Sequence, residues 1–288
     1  MLSPLYGRRL ELWVEARGGV AAINPVMRVL VQDLEASGAM VDVRVPEYEV
    51  VDPRSLLDAS PPDLVLLKTA TTLSLSLALG DEAHGVKFLN GARDTLRAHD
   101  KAATVARLAA AGLPVPPTFL VQPGTNGEVP RSGAGGPWVA KPTRGVHGRG
   151  VDVYPAFPVA LNAAATLDDG GSYVVDDGTR LLQRKVGGAE GDVKVYVVGE
   201  RMFAGIKTFA PRSYAANEIE PITLDAQTEE IIHAVGEALD LRLFGVDLRF
   251  EAEEPVIIDV NPFPGYRGFP DAAPALRAEI ERALGAFR

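Results

Sequence analysis

Leu243-Phe244-Gly245-Val246-Asp247-Leu248-Arg249 and Pro255-Val256-Ile257-Ile258-Asp259-Val260-Asn261-Pro262 decide how this chain reads. Each is an apolar run of strand character leading into an oxygen-bearing side chain. Side chains along a strand alternate between faces, so Asp259 and Asn261 share one face and Val260 takes the other. If the two runs pair, Asp247 completes an oxygen cluster with them. Hard oxygen donors on neighbouring strands are what a Mg²⁺ ion bridging nucleotide phosphates requires. Out of context the same residues would only end strands and begin turns, since Asn-Pro is a good turn starter.

Upstream, Asp192-Val193-Lys194-Val195-Tyr196-Val197-Val198 and Arg201-Met202-Phe203-Ala204-Gly205-Ile206-Lys207 flank Gly199-Glu200, two β-rich runs around a turn. Asp192, Lys194 and Tyr196 lie on one face of the first run, and Val193, Val195 and Val197 on the other. One face is core; the other is solvated or sets cations where phosphates can lie. Before the hairpin, Thr179-Arg180-Leu181-Leu182-Gln183-Arg184-Lys185-Val186-Gly187-Gly188 reads as a short strand running into a glycine bend. Backbone groups exposed at such a bend can read an adenine edge. Earlier still, Trp138-Val139-Ala140-Lys141-Pro142 and Val151-Asp152-Val153-Tyr154 read as strands flanking a loop with Gly145, Gly148 and Gly150. Glycines let the backbone approach an anion and aim its amides at it. No G-x-x-x-x-G-K-[ST] occurs and no helix follows directly, which excludes a P-loop and a dinucleotide fingerprint. A hairpin with a glycine tip covers a nucleotide from above instead.

Lys101, Lys141 with its glycine loop, the Gln183 strand, the Asp192–Lys207 hairpin, Asp247 and Asp259/Asn261 follow one another in an order that resembles the ATP-grasp superfamily, over about residues 85 to 275. His99-Asp100-Lys101 to Leu113-Pro114-Val115-Pro116-Pro117-Thr118, with Gly148-Arg149-Gly150-Val151, resembles the RimK-like and glutathione-synthetase-like ligases. Lys194-Val195-Tyr196-Val197-Val198-Gly199 and the run Asp259 to Pro270 are closer to the inositol-phosphate kinases of the same fold. The resemblance implies an α/β (α+β) chain: an ATP-grasp fold behind an N-terminal doubly wound parallel-sheet domain. Its parts would be residues 1–96, a central subdomain with the glycine loop at 97–182, and a C-terminal subdomain with the metal site at 183–288.

Roles follow from the same resemblance. Lys101 and Lys141 contact nucleotide phosphates beneath the flap of Gly145, Gly148 and Gly150, with lysine acting as a point charge. Gln183, Lys185 and Val186 lie on the adenine side, and Glu190 and Asp192 at the ribose hydroxyls or the substrate edge. Asp247, Asp259 and Asn261 hold one or two Mg²⁺, with Mn²⁺ admissible. Asp259 stands where the families commonly place the longer Glu. Lys194 and Lys207 are the catalytic cations, although Lys207 stands where many ligases carry Arg and so lacks bidentate geometry. Arg249, Tyr266 and Arg267 border the metal stations and either read an anionic substrate or are structural. His147 receives no role.

The implied chemistry is a carboxylate–amine ligase: ATP phosphorylates a carboxylate, an amine attacks the acyl phosphate, and ADP and phosphate leave. No protein nucleophile is needed, which agrees with a chain that has no cysteine. The rival within the fold is a kinase acting on a hydroxyl of a polyol or inositol phosphate. The dispersed cations Arg8, Arg9, Arg17, Arg28, Arg44, Arg54, Lys68 and Lys87 of the first 90 residues favour the ligase over a polyphosphate binder. A non-enzymatic ATP-binding protein would not need the full metal set.

Bulk properties narrow the field further. With 47% hydrophobic and 23% charged residues, the composition is that of a globular protein. The absence of cysteine excludes disulfides and thiolate-bound metals. His84, His99, His147 and His233 lack metal-binding spacing. A net charge of −9 argues against a nucleic-acid partner. No apolar run is long enough to span a membrane, and the N-terminus lacks a signal-peptide core, so a cytoplasmic enzyme is expected. The sequence does not fix the assembly; dimers and tetramers are common among the enzymes it resembles, so the resemblance admits a homodimer or homotetramer. Residues 8 to about 95 alternate strands (Leu10–Val14, Val41–Val45, Leu64–Leu67) with helices, which implies a parallel sheet covered on both faces. Asn24 caps a helix with Pro25 at its first position and Val26, Val29, Leu30 and Leu34 on its buried stripe. Further helices are expected at 100–112, with Ala102, Val105, Leu108 and Ala109 inward, and at 156–168, 223–239 and 271–287.

Overall fold

The computed structural model describes residues 3–17, 20–21, 23–52, 60–122, 125, 136–145, 150–164, 178–187, 192–207 and 219–286. The N-terminal part comprises β1 (Arg9–Val14), β2 (Ala16–Arg17), β3 (Val20–Ala21), α1 (Pro25–Ala36), β4 (Met40–Arg44), β5 (Leu64–Lys68), α2 (Thr72–Ala83), β6 (Phe88–Leu89) and α3 (Ala92–Ala98). A central group follows: α4 (Lys101–Ala110), β7 (Thr118–Val121), β8 (Trp138–Pro142), β9 (Asp152–Tyr154), α5 (Phe157–Ala164) and β10 (Arg180–Arg184). The last group is β11 (Asp192–Val198), β12 (Arg201–Lys207), β13 (Ile219–Ile222), α6 (Ala226–Leu239), β14 (Leu243–Glu251), β15 (Glu254–Pro262) and α7 (Ala272–Ala286).

The first sheet is parallel, in the order β4-β1-β5-β6. Leu10, Leu12, Val14, Leu64 and Leu66 face α1 and α7, whereas Trp13, Val65 and Leu67 face α2. Both faces are apolar because helices cover both. The Asn24 side chain accepts from Met27 N and caps α1, with Pro25 at its start. The buried stripe of that helix is Val26, Met27, Leu30 and Leu34; Val29 is 52% exposed, because the stripe turns toward Met27. In α4 the buried residues are Thr104 and Leu108, and Ala109 is exposed. α7, at the far end of the chain, packs in the same core as α1.

Two antiparallel sheets make the rest. The central one has the order β7-β10-β8-β9, closed beneath by α5 around Trp138, Phe157 and Leu182. The C-terminal one has the order β13-β12-β11-β14-β15. Its lower face, including Val193, Val195, Val197, Val246 and Leu248, packs on Ile232, Val235 and Leu239 of α6. Gly236 permits that approach, since a Cβ there would lie 2.9 Å from the Phe244 ring. β11 and β12 pair from Asp192↔Lys207 to Val198↔Arg201 around Gly199-Glu200, with Gly199 at φ +60°.

His99 closes α3 against the first sheet, its Nε2 3.1 Å from Thr69 O. Burial lowers its pKa to about 4. The unfolded chain therefore takes up a proton below about pH 6.5 that the folded ring refuses, and stability falls as pH drops through the window from 6.5 to 4. Between pH 7.5 and 5 this amounts to about 2 kcal/mol. Urea titrations at those two pH values should show a smaller difference for His99→Gln than for the parent; equal differences would exclude His99 as the source.

Candidate nucleotide and metal site

A cleft of about 470 Å³ lies between the two antiparallel sheets. Its floor is the upper face of β11, β12, β14 and β15; its roof is β8, β9 and β10; Lys101 at the start of α4 closes one side. Lys101, Lys141, Gly145, Gln183, Lys185, Val186, Asp192, Lys194, Lys207, Asp247, Arg249, Asp259 and Asn261 line it, thirteen of the positions singled out above. Gly150, just before β9, has φ +68°, and a Cβ there would lie 3.5 Å from Pro142 Cδ. Gly148, His147 and Glu190 lie outside the described residues.

The strand register arranges the charges in rows. Lys194 on β11 faces Asp247 on β14, which faces Asp259 on β15. Lys194 Nζ is 2.5 Å from Asp247 Oδ1, and Lys101 Nζ donates to Asp259 Oδ1. Two carboxylates thus stand side by side between two ammonium groups. Behind them the register slips: Asp247 pairs with Asp259 but Leu248 with Ile257, so Ile258 is an extra residue, a β-bulge. The bulge brings Ile258 and Asp259 both to the cleft and frees Ile258 O, which accepts from Lys141 Nζ at 2.9 Å. Lys141 also donates to Gln183 Oε1 at 3.0 Å.

Burial is the first influence on each of these groups. It raises the Asp247 pKa, with the neighbouring Asp259 adding to it against the pull of Lys194. Burial would also raise Asp259, but Lys101 and Lys141 outweigh it and hold that carboxyl low. Lys194 is raised, because Asp247 overcomes the effect of burial. Lys141, whose direct partners are neutral, is lowered by burial to about 8.

Asp247, Asp259 and the Asn261 amide form an all-oxygen donor set, and among the described residues no third Asp, Glu, His or Cys joins the two carboxylates. One or two carboxylates completed by phosphate oxygens and water is the usual Mg²⁺ arrangement, so these residues fit the ion. On the next row, Arg249 Nε donates to Asp192 Oδ1 at 2.7 Å and its Nη1 to Val186 O at 3.2 Å. Arg249 therefore ties the hairpin to the segment just after β10.

One of the anticipated substrate contacts lies elsewhere. Tyr266 is fully buried, and its hydroxyl donates to Val197 O at 3.1 Å. Its backbone, at φ +51°, turns the ring into the core shared with α1 and α7. Arg267 is exposed and does not itself line the cleft, yet its charge reaches Lys207, which does. Tyr266→Phe should lower stability by about 1 kcal/mol through the loss of one buried hydrogen bond to Val197 O, with nucleotide affinity in isothermal titration unchanged; a nucleotide defect would return Tyr266 to the cleft. The N-terminal part also reaches the segment after the metal stations, a connection with no sign in the sequence. Lys68 Nζ donates to Phe263 O at 3.2 Å and Asn24 Nδ2 to Gly265 O at 3.1 Å.

Comparison with known proteins agrees with this geometry. Residues 98–265, more than half of the chain, match the ATP-grasp domain family. A probable alpha-L-glutamate ligase of Legionella pneumophila (strain Corby) is 25% identical over 278 residues, spanning 92% of this chain and 86% of that protein. The D-alanine–D-alanine ligase of Bacillus anthracis in complex with ATP superposes with a TM-score of 0.71 at 15% identity, over 97% of this chain and 98% of that one. A RimK domain ATP-grasp protein of Sphaerobacter thermophilus gives 0.66 at 18% identity, over 96% and 99%. The two structures share the fold.

Proposed function

This chain belongs to the ATP-grasp domain family, and from that premise we propose that it is an ATP-dependent carboxylate–amine ligase that forms an amide through an acyl phosphate. The observation that carries the reading is the row Lys194–Asp247–Asp259–Lys101 on the floor of a cleft whose roof carries Lys141. A substrate carboxylate oxygen attacks the γ-phosphorus and the bond to the ADP oxygen breaks. An amine then attacks the acyl carbon, phosphate leaves with the bonding electrons, and the amine proton passes to solvent.

Lys141 and Lys101 bind the phosphates, and Lys194, with Lys207, faces the charge that develops on the transferred group. Catalysis comes from positioning and preorganised charge. Gln183, Lys185 and Val186 orient the base, and Arg249 fixes Val186 and Asp192. Asp247, Asp259 and Asn261 would hold Mg²⁺, or Mn²⁺, and the ion supplies charge neutralisation between the phosphates. A cytoplasmic homodimer or homotetramer belongs to the same proposal.

The relatives are named as glutamate ligases, so L-glutamate is the first substrate to try, alone and paired with small acids and amines. Phosphate release should require ATP, Mg²⁺ and the added substrates, and mass spectrometry should find a new amide. A phosphorylated hydroxyl in place of the amide would make the enzyme a kinase and overturn the proposal.

A further inference from the structure

Tyr196 follows Asp192 and Lys194 at the next alternate position of β11 and so faces the same way. It pairs with Gly245 of β14, which pairs in turn with Asn261. It therefore stands one step beyond the row of Lys194, Asp247 and Asp259, on the side away from Lys207 and Arg249. The ring is held edge-on by Tyr266 and Phe269, with centroids at 5.6 and 5.8 Å. The missing side chain at Gly245 leaves it room, since a Cβ there would lie 3.2 Å from Tyr196 Cδ1.

Its hydroxyl differs from that of Tyr266, which is committed to Val197 O. Among the described residues the Tyr196 hydroxyl has no hydrogen-bond partner, and it is not an enclosed atom, so it opens to solvent, in the strand row whose other end, Asn261, lines the cleft. Lys194, Asp247 and Arg267 are the charged groups whose fields act on it. A phenol fixed by an aromatic wall, on the same strand face as Lys194 and its next neighbour there, has the chemistry of an oxyanion contact, and its rigidity means little entropy is lost on binding.

We propose that the Tyr196 hydroxyl, with Lys194 and Arg267, forms an oxyanion subsite at the end of the cleft, donating a hydrogen bond to the substrate carboxylate and then to the transferred phosphoryl group. This rests on the ligase reading, which provides both oxyanions. The shared chemistry can be probed without the substrate, by titrating inorganic phosphate into protein saturated with Mg²⁺ and ADP. Tyr196→Phe keeps the ring against Tyr266 and Phe269 and should leave the melting temperature and the ADP affinity as in the parent. Phosphate affinity should fall about tenfold, as for the loss of one hydrogen bond to a charged group. Unchanged phosphate affinity in Tyr196→Phe overturns the subsite, as does a parent that binds ADP with Mg²⁺ but not phosphate. A parent that fails to bind ADP with Mg²⁺ overturns the ligase reading itself, and the subsite with it.

Discussion

Replacing Asp247 with asparagine should lower ATP turnover roughly a hundred- to a thousandfold, the usual loss when one preorganised charge is taken from the centre of a reaction site. The substitution keeps shape and removes charge. It leaves Asp259 as the one carboxylate for a divalent ion, and with Lys194 and Lys101 on either side the row becomes net positive and repels the ion. Stability should fall as well, because Lys194 lies 2.5 Å from Asp247 with only 15% of its side chain exposed. Breaking such a pair from one side leaves an uncompensated ammonium, which costs about 3 kcal/mol or somewhat less where an amide oxygen still accepts. The double variant Asp247→Asn, Lys194→Met removes that ammonium and should recover much of the stability while turnover stays low. Phosphate release and urea unfolding on the same preparations separate the two effects. Parent-like turnover in Asp247→Asn would take this carboxylate out of the reaction.

That floor is legible in the sequence because strand alternation is a strict rule. A period of two places Lys194 beside Asp192 and Asn261 beside Asp259 with no other information, and the order of the motifs along the chain supplies the roof. What escapes are features that depend on contacts between distant segments. The contact between Lys101 and Asp259 joins residues 158 positions apart. The bulge at Ile258 inserts one residue into a run of apolar residues that looks regular, and only the cross-strand partner reveals it. Tyr266 sits among Pro264, Gly265 and Arg267, a composition that reads as an exposed loop, yet a left-handed backbone turns it inward. Helical stripes fail for a similar reason: Val29 and Met27 are both apolar, and the neighbouring α7 decides which of them is covered.

Lys141→Met should weaken ATP binding while making the ligand-free protein more stable. Lys141 is 8% exposed, and its direct partners are the neutral oxygens of Gln183 and Ile258. Burial brings its pKa from 10.5 to about 8. The unfolded chain holds the proton more tightly than the folded one, so stability is depressed at all pH values below about 8 and recovers as pH rises from 8 to 10.5. The depression is about 3 kcal/mol at neutral pH. Methionine fills nearly the same volume without charge, but two buried oxygens lose a donor, at about 1 kcal/mol each. The net gain is about 1 kcal/mol, or a melting temperature higher by roughly 2–4 °C. Against this, the ammonium's contacts to phosphate oxygens are charge-assisted, worth about 2–3 kcal/mol, so ATP affinity should fall roughly 30- to 150-fold. Calorimetry with a non-hydrolysable ATP analogue and thermal melts of the free protein measure both. Equal nucleotide affinity would remove Lys141 from the site, and a fall in melting temperature would make it a structural lysine. The expected opposition of the two effects follows from a charge that the fold buries with only neutral direct partners and the nucleotide neutralises.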